Sequence, residues 1–112
     1  MLRLNHKNLE FWQKAIGFVS QVYLLTKNYP REDQFGISNQ MRRASVSIVS
    51  NIAEGAARKS KIERRRFFEI TRSSLVEVDS QIEISMKLCY IKKENVYDFE
   101  KRQITFLQCC PI

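Results

Sequence analysis

Nine basic residues lie between positions 42 and 72, against three acidic ones, so this segment accounts for six of the chain's seven net positive charges. Arginine donates two parallel hydrogen bonds to a phosphate, and a clustered basic patch is typical of a nucleic-acid-binding surface. We therefore expect RNA or DNA phosphates to be bound here with little sequence preference. The nine residues are Arg42, Arg43, Arg58, Lys59, Lys61, Arg64, Arg65, Arg66 and Arg72.

The same charge allows other partners. An acidic protein could dock on it, which would make the chain a structural or adaptor module, and an anionic membrane surface could attract it. No strongly apolar face adjoins residues 58–66, so insertion into lipid is disfavoured. Ion pairs of Glu69 with Arg65 and Arg72 would neutralise only part of the segment. Nucleic acid is therefore the first hypothesis, and an acidic protein partner is the alternative.

A second polar group falls on one face of a predicted helix. Serine, asparagine and glutamate together can indicate catalysis, but no base is placed to activate the serines, and the single His6 precedes the first helical pattern. We expect no enzyme, and three uses of this face stay open: a seam between subunits, a channel lining or a solvent face. Its members are Arg43, Ser47, Ser50, Asn51 and Glu54.

The number and spacing of the cysteines indicate which cofactors and which cellular location to expect. Cys89, Cys109 and Cys110 are odd in number and two are adjacent, which does not fit a disulfide framework. With one histidine, a zinc site within one chain is not expected, and neither is any other cofactor. No apolar run approaches the roughly 18 residues that span a bilayer, and residues 1–14 lack a signal-peptide pattern. We expect a cytoplasmic protein.

The spacing of breakers and apolar residues predicts the elements that position these groups. The 112 residues suit one domain, and the stretch from Ala56 to Cys110 has neither glycine nor proline, which favours long helices. We predict an all-α, antiparallel up-down-up-down four-helix bundle, with Ser38 as one N-cap and Ser60–Glu63 as a capping box. The helices are expected at about 8–28, 38–57, 60–90 and 94–109.

Each helix has an apolar face at spacings of three and four, which we expect to be buried. Phe67 and Phe68 follow the basic residues and could stack on bases, but their helical spacing favours core packing. The predicted inward residues are Leu9, Trp12, Ile16, Val19 and Tyr23 in the first helix, Met41, Ala44, Ile48, Ile52 and Gly55 in the second, Phe68, Leu75, Val78, Ile82, Met86 and Cys89 in the third, and Val96, Phe99, Gln103 and Phe106 in the fourth.

Two helices have more apolar surface than one core requires. Apolar residues cover an arc of roughly 200° on the first helix, whereas a single core needs about 100°. The surplus predicts subunit contacts and a homo-oligomer. The residues assigned to that interface are Phe11, Phe18, Leu25, Ile70, Ile84 and Leu88.

The run from Gln40 to Gly55, with its Arg-Arg-Ala and Asn-Ile-Ala-Glu-Gly segments, followed by Arg58, Ser60 and Glu63, carries a resemblance over most of the chain. It is similar to the four-helix-bundle proteins encoded by intervening sequences in bacterial 23S rRNA genes. Tyr29-Pro30 and Phe35-Gly36 also fit. Two features depart from the family: Cys89 stands where glycine is usual, and residues 106–112 are unlike the usual end of the last helix.

This resemblance implies a ring-shaped homopentamer. It also implies kinship with the accessory variability determinant proteins of diversity-generating retroelements, which bind nucleic acid and cooperate with a reverse transcriptase. A reverse transcriptase is thus one form that a protein partner could take. The residues that match the family's polar positions are Arg42, Arg43, Asn51, Glu54 and Arg58.

Overall fold

The computed structural model describes residues 9–33 and 35–108, and side chains up to residue 101. Over these residues the chain is all-α and has no strand. The helices are α1 (Glu10–Thr26), α2 (Ile37–Ala57), α3 (Lys61–Lys87) and α4 (Lys93–Gln108), with one 3-10 turn at Arg31–Asp33. The four predicted helices are therefore confirmed, with bounds that differ by at most three residues. None of the described helices is long and apolar enough to cross a membrane.

The core sits around α2, which packs against both α1 and α3, while α4 packs against α1. The predicted inward face of α2 is confirmed, since all five of its residues are buried. In α3, Leu75, Val78 and Ile82 are buried as predicted, with Phe68 and Met86 packed at the edge. Val96 and Phe99 of α4 are buried too, whereas the side chains of Gln103 and Phe106 lie outside the described residues.

The predicted inward face of α1 is wrong by about one residue. Ile16 and Tyr23 are exposed, and the core instead receives the aromatic rings of Phe11 and Phe18. Phe11 meets Phe68 of α3 edge-on at 6.5 Å between ring centroids, and Phe18 meets Phe99 of α4 at 5.4 Å. Aromatic contacts with two other helices therefore decide which part of the wide apolar arc faces inward.

The start of α2 differs from the prediction, and the start of α3 agrees with it in part. Ser38 is not the N-cap of α2: Gly36 holds that position, and the Asp33 carboxylate accepts the backbone N–H groups of Ile37 and Ser38 at 3.4 and 3.2 Å. The carboxylate thus satisfies donors that a helix start otherwise leaves unpaired. The capping box of α3 is confirmed in part, since Ser60 Oγ accepts the Glu63 N–H at 3.4 Å.

Helix α3 ends at Lys87 rather than at Tyr90. The backbone N–H of Cys89 donates to Met86 at 3.0 Å, and that of Tyr90 donates to Ser85 at 2.9 Å. This pair of bonds is the Schellman motif, in which the residue after the cap takes a left-handed conformation. Cys89 does so, with φ of 60°, and its side chain is exposed rather than inward as predicted.

Candidate nucleic-acid interface

The connection between α2 and α3 brings basic residues from both helices to one place. Only residues 58–60 separate the helices, and Arg58 and Ser60 are both extended. A Cβ atom added to Gly55 would lie 2.9 Å from Cβ of Phe67, closer than ordinary packing allows. Glycine at this position therefore permits the close approach of α3 to the last turn of α2.

The basic end consists of six residues: Arg58, Lys59, Lys61, Arg64, Arg65 and Arg66. Five are exposed and Arg64 is partly buried. Arg58 lies 3.9 Å from Glu54, and Arg65 lies 3.5 Å from Glu69. Exposed pairs of this kind contribute little stability. Within the described chain, the other four have no carboxylate within ion-pair distance, so the basic end keeps an excess of positive charge.

The aromatic residues beside the basic end are not free platforms for bases. Phe68 packs against the core and contacts Phe11, which confirms the core interpretation for this ring. The ring of Phe67 is partly buried, and the Arg58 guanidinium lies over it, 4.9 Å from its centroid. This cation–π contact holds Arg58 at the surface of the basic end.

The other three predicted phosphate-binding residues are not part of the basic end. Arg43 and Arg72 are exposed on α2 and α3. Arg42 is partly buried, its Nε donates to Thr26 Oγ1 at 2.8 Å, and its guanidinium lies 4.5 Å from the centre of the Tyr23 ring. Sixteen residues of helix separate Arg42 from Arg58, about 24 Å. Arg42 is therefore anchored to α1, far from the basic end.

The polar face of α2 bonds largely within its own helix. The Asn51 side-chain amide donates to the backbone oxygen of Ser47 at 2.8 Å and to its hydroxyl at 3.0 Å. Arg43, Ser50 and Glu54 are exposed. In the part of the chain that the structure describes, no group of three or more histidine, cysteine or acidic residues could hold a metal ion.

The predicted interface residues divide into two sets. Phe11 and Phe18 are 5% and 4% exposed and belong to the core of their own chain, which corrects their assignment to a subunit contact. Leu25 is partly buried against the same core. Ile70, Ile84 and Leu88 are between 42% and 50% exposed on α3, so they remain available for a partner.

Sequence reasoning missed the surface at the opposite end of α2. Three adjoining grooves of about 550, 460 and 650 Å³ share Arg42 as a lining residue. The most exposed large apolar side chain there is Phe35, which is 86% exposed and lines a groove together with Lys27 and Arg31. No helical period marks these residues, because they come from the α1–α2 connection. The only sequence signal was the presence of an aromatic residue and two cations in a polar turn.

Tyr29, in the α1–α2 connection, is buried beneath this surface and contacts other elements of the fold. It is buried, its ring packs 5.2 Å from that of Tyr90, and its hydroxyl donates to Met41 Sδ at 3.6 Å. Burial raises the pKa of the Tyr29 hydroxyl, a hydrogen bond with Ser85 lowers it, and the Asp33 carboxylate raises it, with a net shift upward. The α1–α2 connection is thereby held against α2 and the end of α3.

Comparison with known proteins places the chain in a family. No curated protein matches it at a significant level. A sequence profile described as 23S rRNA-intervening sequence protein matches residues 7–108, nearly the whole chain, and the four helices of the structure agree with the fold that the resemblance implied. The chain therefore belongs to the 23S rRNA-intervening sequence protein family.

Proposed function

We propose that this protein is a non-enzymatic, oligomeric nucleic-acid-binding protein of the cytoplasm. The observation that carries the proposal is the basic end, where six cations come together and only two have a carboxylate partner among the described residues. Exposed arginine and lysine at this density attract a polyanion and release its counterions on binding. Since such contacts reach phosphates rather than base edges, little sequence specificity is expected.

Salt dependence gives the first test. Six phosphate contacts would weaken binding about a thousandfold between about 50 and 200 mM salt. Gel-shift titrations with RNA and with DNA across this range measure the slope of log affinity against log salt. The triple variant Arg64→Ala, Arg65→Ala, Arg66→Ala should lower that slope by about 3. Undetectable binding at low salt, or an unchanged slope in the variant, would contradict the proposal.

A charge-matched control separates a local site from overall charge. Lys87, Lys92 and Lys93 are exposed and lie at or just beyond the far end of α3. Replacing these three by alanine removes the same net charge as the arginine variant. With duplex RNA or DNA as the probe, we expect a clearly smaller loss of affinity, because these lysines lie more than about 10 Å from the basic end and salt screens charges at that distance. Equal losses in both variants would mean that net charge alone drives binding.

The same proposal includes an antiparallel up-down-up-down bundle that assembles as a homopentamer. Two contacts between α2 and α3 support the arrangement: Gly55 lies beside Phe67 near the connection, and Ser85 Oγ lies 3.7 Å from Met41 Sδ at the other end. The family resemblance supports the pentamer, and the exposed stripe of Ile70, Ile84 and Leu88 offers an apolar contact.

Light scattering on the purified protein tests the assembly. Five copies of the 13.3 kDa chain weigh about 67 kDa. Ile84→Glu should shift the mass towards the monomer, since it places a charge in the stripe. Val76→Glu is the control, because Val76 is 62% exposed and lies outside the stripe. A 13 kDa species for the unmodified protein at micromolar concentration would contradict the oligomer.

An acidic protein, such as an acidic surface of a reverse transcriptase, is the competing partner for the basic end. Pull-down with and without nuclease treatment separates the two. Partners bridged by nucleic acid are lost on digestion, whereas a directly docked protein stays bound. Retention of one acidic protein after digestion, together with the absence of a shifted RNA or DNA, would replace the proposal by the adaptor function.

A further inference from the structure

A groove of about 550 Å³ lies where the α1–α2 connection meets the start of α2. Its volume is within the range of small-molecule sites and suits a single nucleotide unit. The lining residues of α2, Ser38 to Arg42, lie about 24 to 30 Å along the helix from Arg58 of the basic end. The groove is therefore a separate surface from the site of the proposed function.

The lining of this groove is cationic. Lys27, Arg31 and Arg42 line it, and none of the described aspartates and glutamates does. Asp33, a nearby carboxylate of the same connection, accepts the first N–H groups of α2 and so is engaged at the helix start. Arg42 is already oriented by Thr26 and by the Tyr23 ring. A guanidinium held in this way loses little side-chain entropy when it binds a phosphate.

An aromatic ring stands beside these cations. Phe35 is 86% exposed, although apolar rings of this size normally bury most of their surface. Asn39, also a lining residue, carries an amide that can both donate and accept at a base edge. Proteins bind single-stranded nucleic acid with cations that contact the phosphates and aromatic rings that stack on the bases. Side-chain amides can also form hydrogen bonds with the edges of unstacked bases.

We infer that this groove binds one nucleotide unit of a single-stranded nucleic acid, with the base stacked on Phe35 and the phosphate held by Arg31 and Arg42. The inference rests on the proposed function and adds a second contact to it. Single strands are favoured over duplex because a ring can stack only on a base that has left its own stack. An acidic peptide would use the cations but would gain nothing from the exposed ring.

The test compares two substitutions of Phe35 and one of Arg31 in the full-length protein. Fluorescence anisotropy measures binding of a labelled, non-self-complementary oligonucleotide of about 12 residues and of its duplex. Phe35→Leu keeps an apolar group but removes the aromatic face, and should weaken single-strand binding roughly 5- to 100-fold. It should leave duplex binding within about twofold. Phe35→Trp should restore single-strand binding, and Arg31→Gln should weaken it.

Controls keep a loss of binding interpretable. Circular dichroism and light scattering should show unchanged helicity and mass for Phe35→Leu, because the ring packs little against its own chain. A changed mass would assign the ring to subunit packing and would overturn the inference. So would an equal loss on single strand and duplex, or a polyglutamate peptide that binds more tightly than the strand.

The outcomes also distinguish the groove from the proposed function. If the unmodified protein binds both probes and Phe35→Leu binds them equally well, the groove is not a nucleotide site while the proposed function stands. If Arg64, Arg65 and Arg66 can be removed without loss but Phe35→Leu abolishes single-strand binding, the groove stands and the basic end does not. If the unmodified protein binds neither probe at low salt, both fail.

Discussion

The Nε atom of Arg42 donates a hydrogen bond of 2.8 Å to Oγ1 of Thr26, which joins α2 to the last turn of α1. Thr26 is itself 3% exposed, and its hydroxyl donates a hydrogen bond of 2.9 Å to the backbone oxygen of Val22. The two bonds form a short chain from a cationic side chain to the backbone of the neighbouring helix. Arg42 is thereby both a structural link and the residue common to three surface grooves.

Thr26→Val should destabilise the protein by about 1 to 2 kcal/mol, because it removes the acceptor of a partly buried charged donor while keeping the side-chain volume. Urea denaturation at a fixed protein concentration measures the change in the free energy of unfolding. Thr26→Ser is the matched control, since it retains the hydroxyl. Thr26→Ser reports the loss of the methyl group alone. If Thr26→Val costs nothing, the hydrogen bond contributes nothing to stability.

Replacing glycine by alanine should have opposite effects on stability at Gly55 and at Gly17. Gly55→Ala should destabilise by about 1 to 3 kcal/mol, because the added methyl group would meet Cβ of Phe67 at 2.9 Å. Gly17→Ala should stabilise by about 0.5 to 1 kcal/mol, because among the described residues no atom outside its own helix lies within 4 Å of the new methyl group. Thermal and urea unfolding of both variants check the signs. A neutral Gly55→Ala would show that α3 can move away from α2.

The face of α2 could be predicted from sequence because Met41, Ile48 and Ile52 lie in one narrow arc, and apart from the exposed Val46 the opposite side carries small or polar residues. The face of α1 could not, since its apolar residues cover about twice the arc that one core uses. Two orientations of α1 satisfy the spacing equally well. The choice between them depends on Phe68 and Phe99, which lie far away in the sequence.

One candidate site could likewise be predicted from the sequence, and the other could not. The basic end could be predicted because its six cations are close in sequence and two helices meet there. The hydrogen-bond partner of Arg42 could not be predicted. Thr26 is 16 residues away in the sequence, and it meets Arg42 only because α1 packs on α2. The groove beside Phe35 was missed for a similar reason, since it forms between a connection without periodicity and two helix ends.

Cys89→Gly should stabilise the protein by about 1 kcal/mol. Cys89 has φ of 60°, where a side chain costs roughly 1 to 2 kcal/mol, and glycine removes that cost while adding some entropy to the unfolded chain. The Schellman hydrogen bonds of residues 89 and 90 need no change. Lys87→Gly, two residues earlier in regular helix, should instead destabilise by about 1 kcal/mol. Equal signs for the two variants would contradict this account.

Because the pKa of Tyr29 is raised, we expect the protein to lose stability in alkaline solution. Its pKa is raised in the folded state, chiefly by burial, so the unfolded chain releases the hydroxyl proton at a lower pH than the folded chain does. Below about pH 10, the ordinary pKa of tyrosine, the contribution of Tyr29 is fully present. Above it, the stability of the unmodified protein should fall by up to about 1.4 kcal/mol per pH unit until the folded pKa is reached.

Tyr29→Phe isolates this contribution, because it removes the titrating hydroxyl and keeps the ring that packs on Tyr90. Every other residue is the same in the two proteins, so the difference between their free energies of unfolding reports Tyr29. Urea denaturation at several values between about pH 8.5 and 11 should show a constant difference up to about pH 10. Above that pH, the variant should become steadily more stable relative to the unmodified protein. A difference that stays constant to pH 11 would mean that the Tyr29 hydroxyl titrates alike in both states.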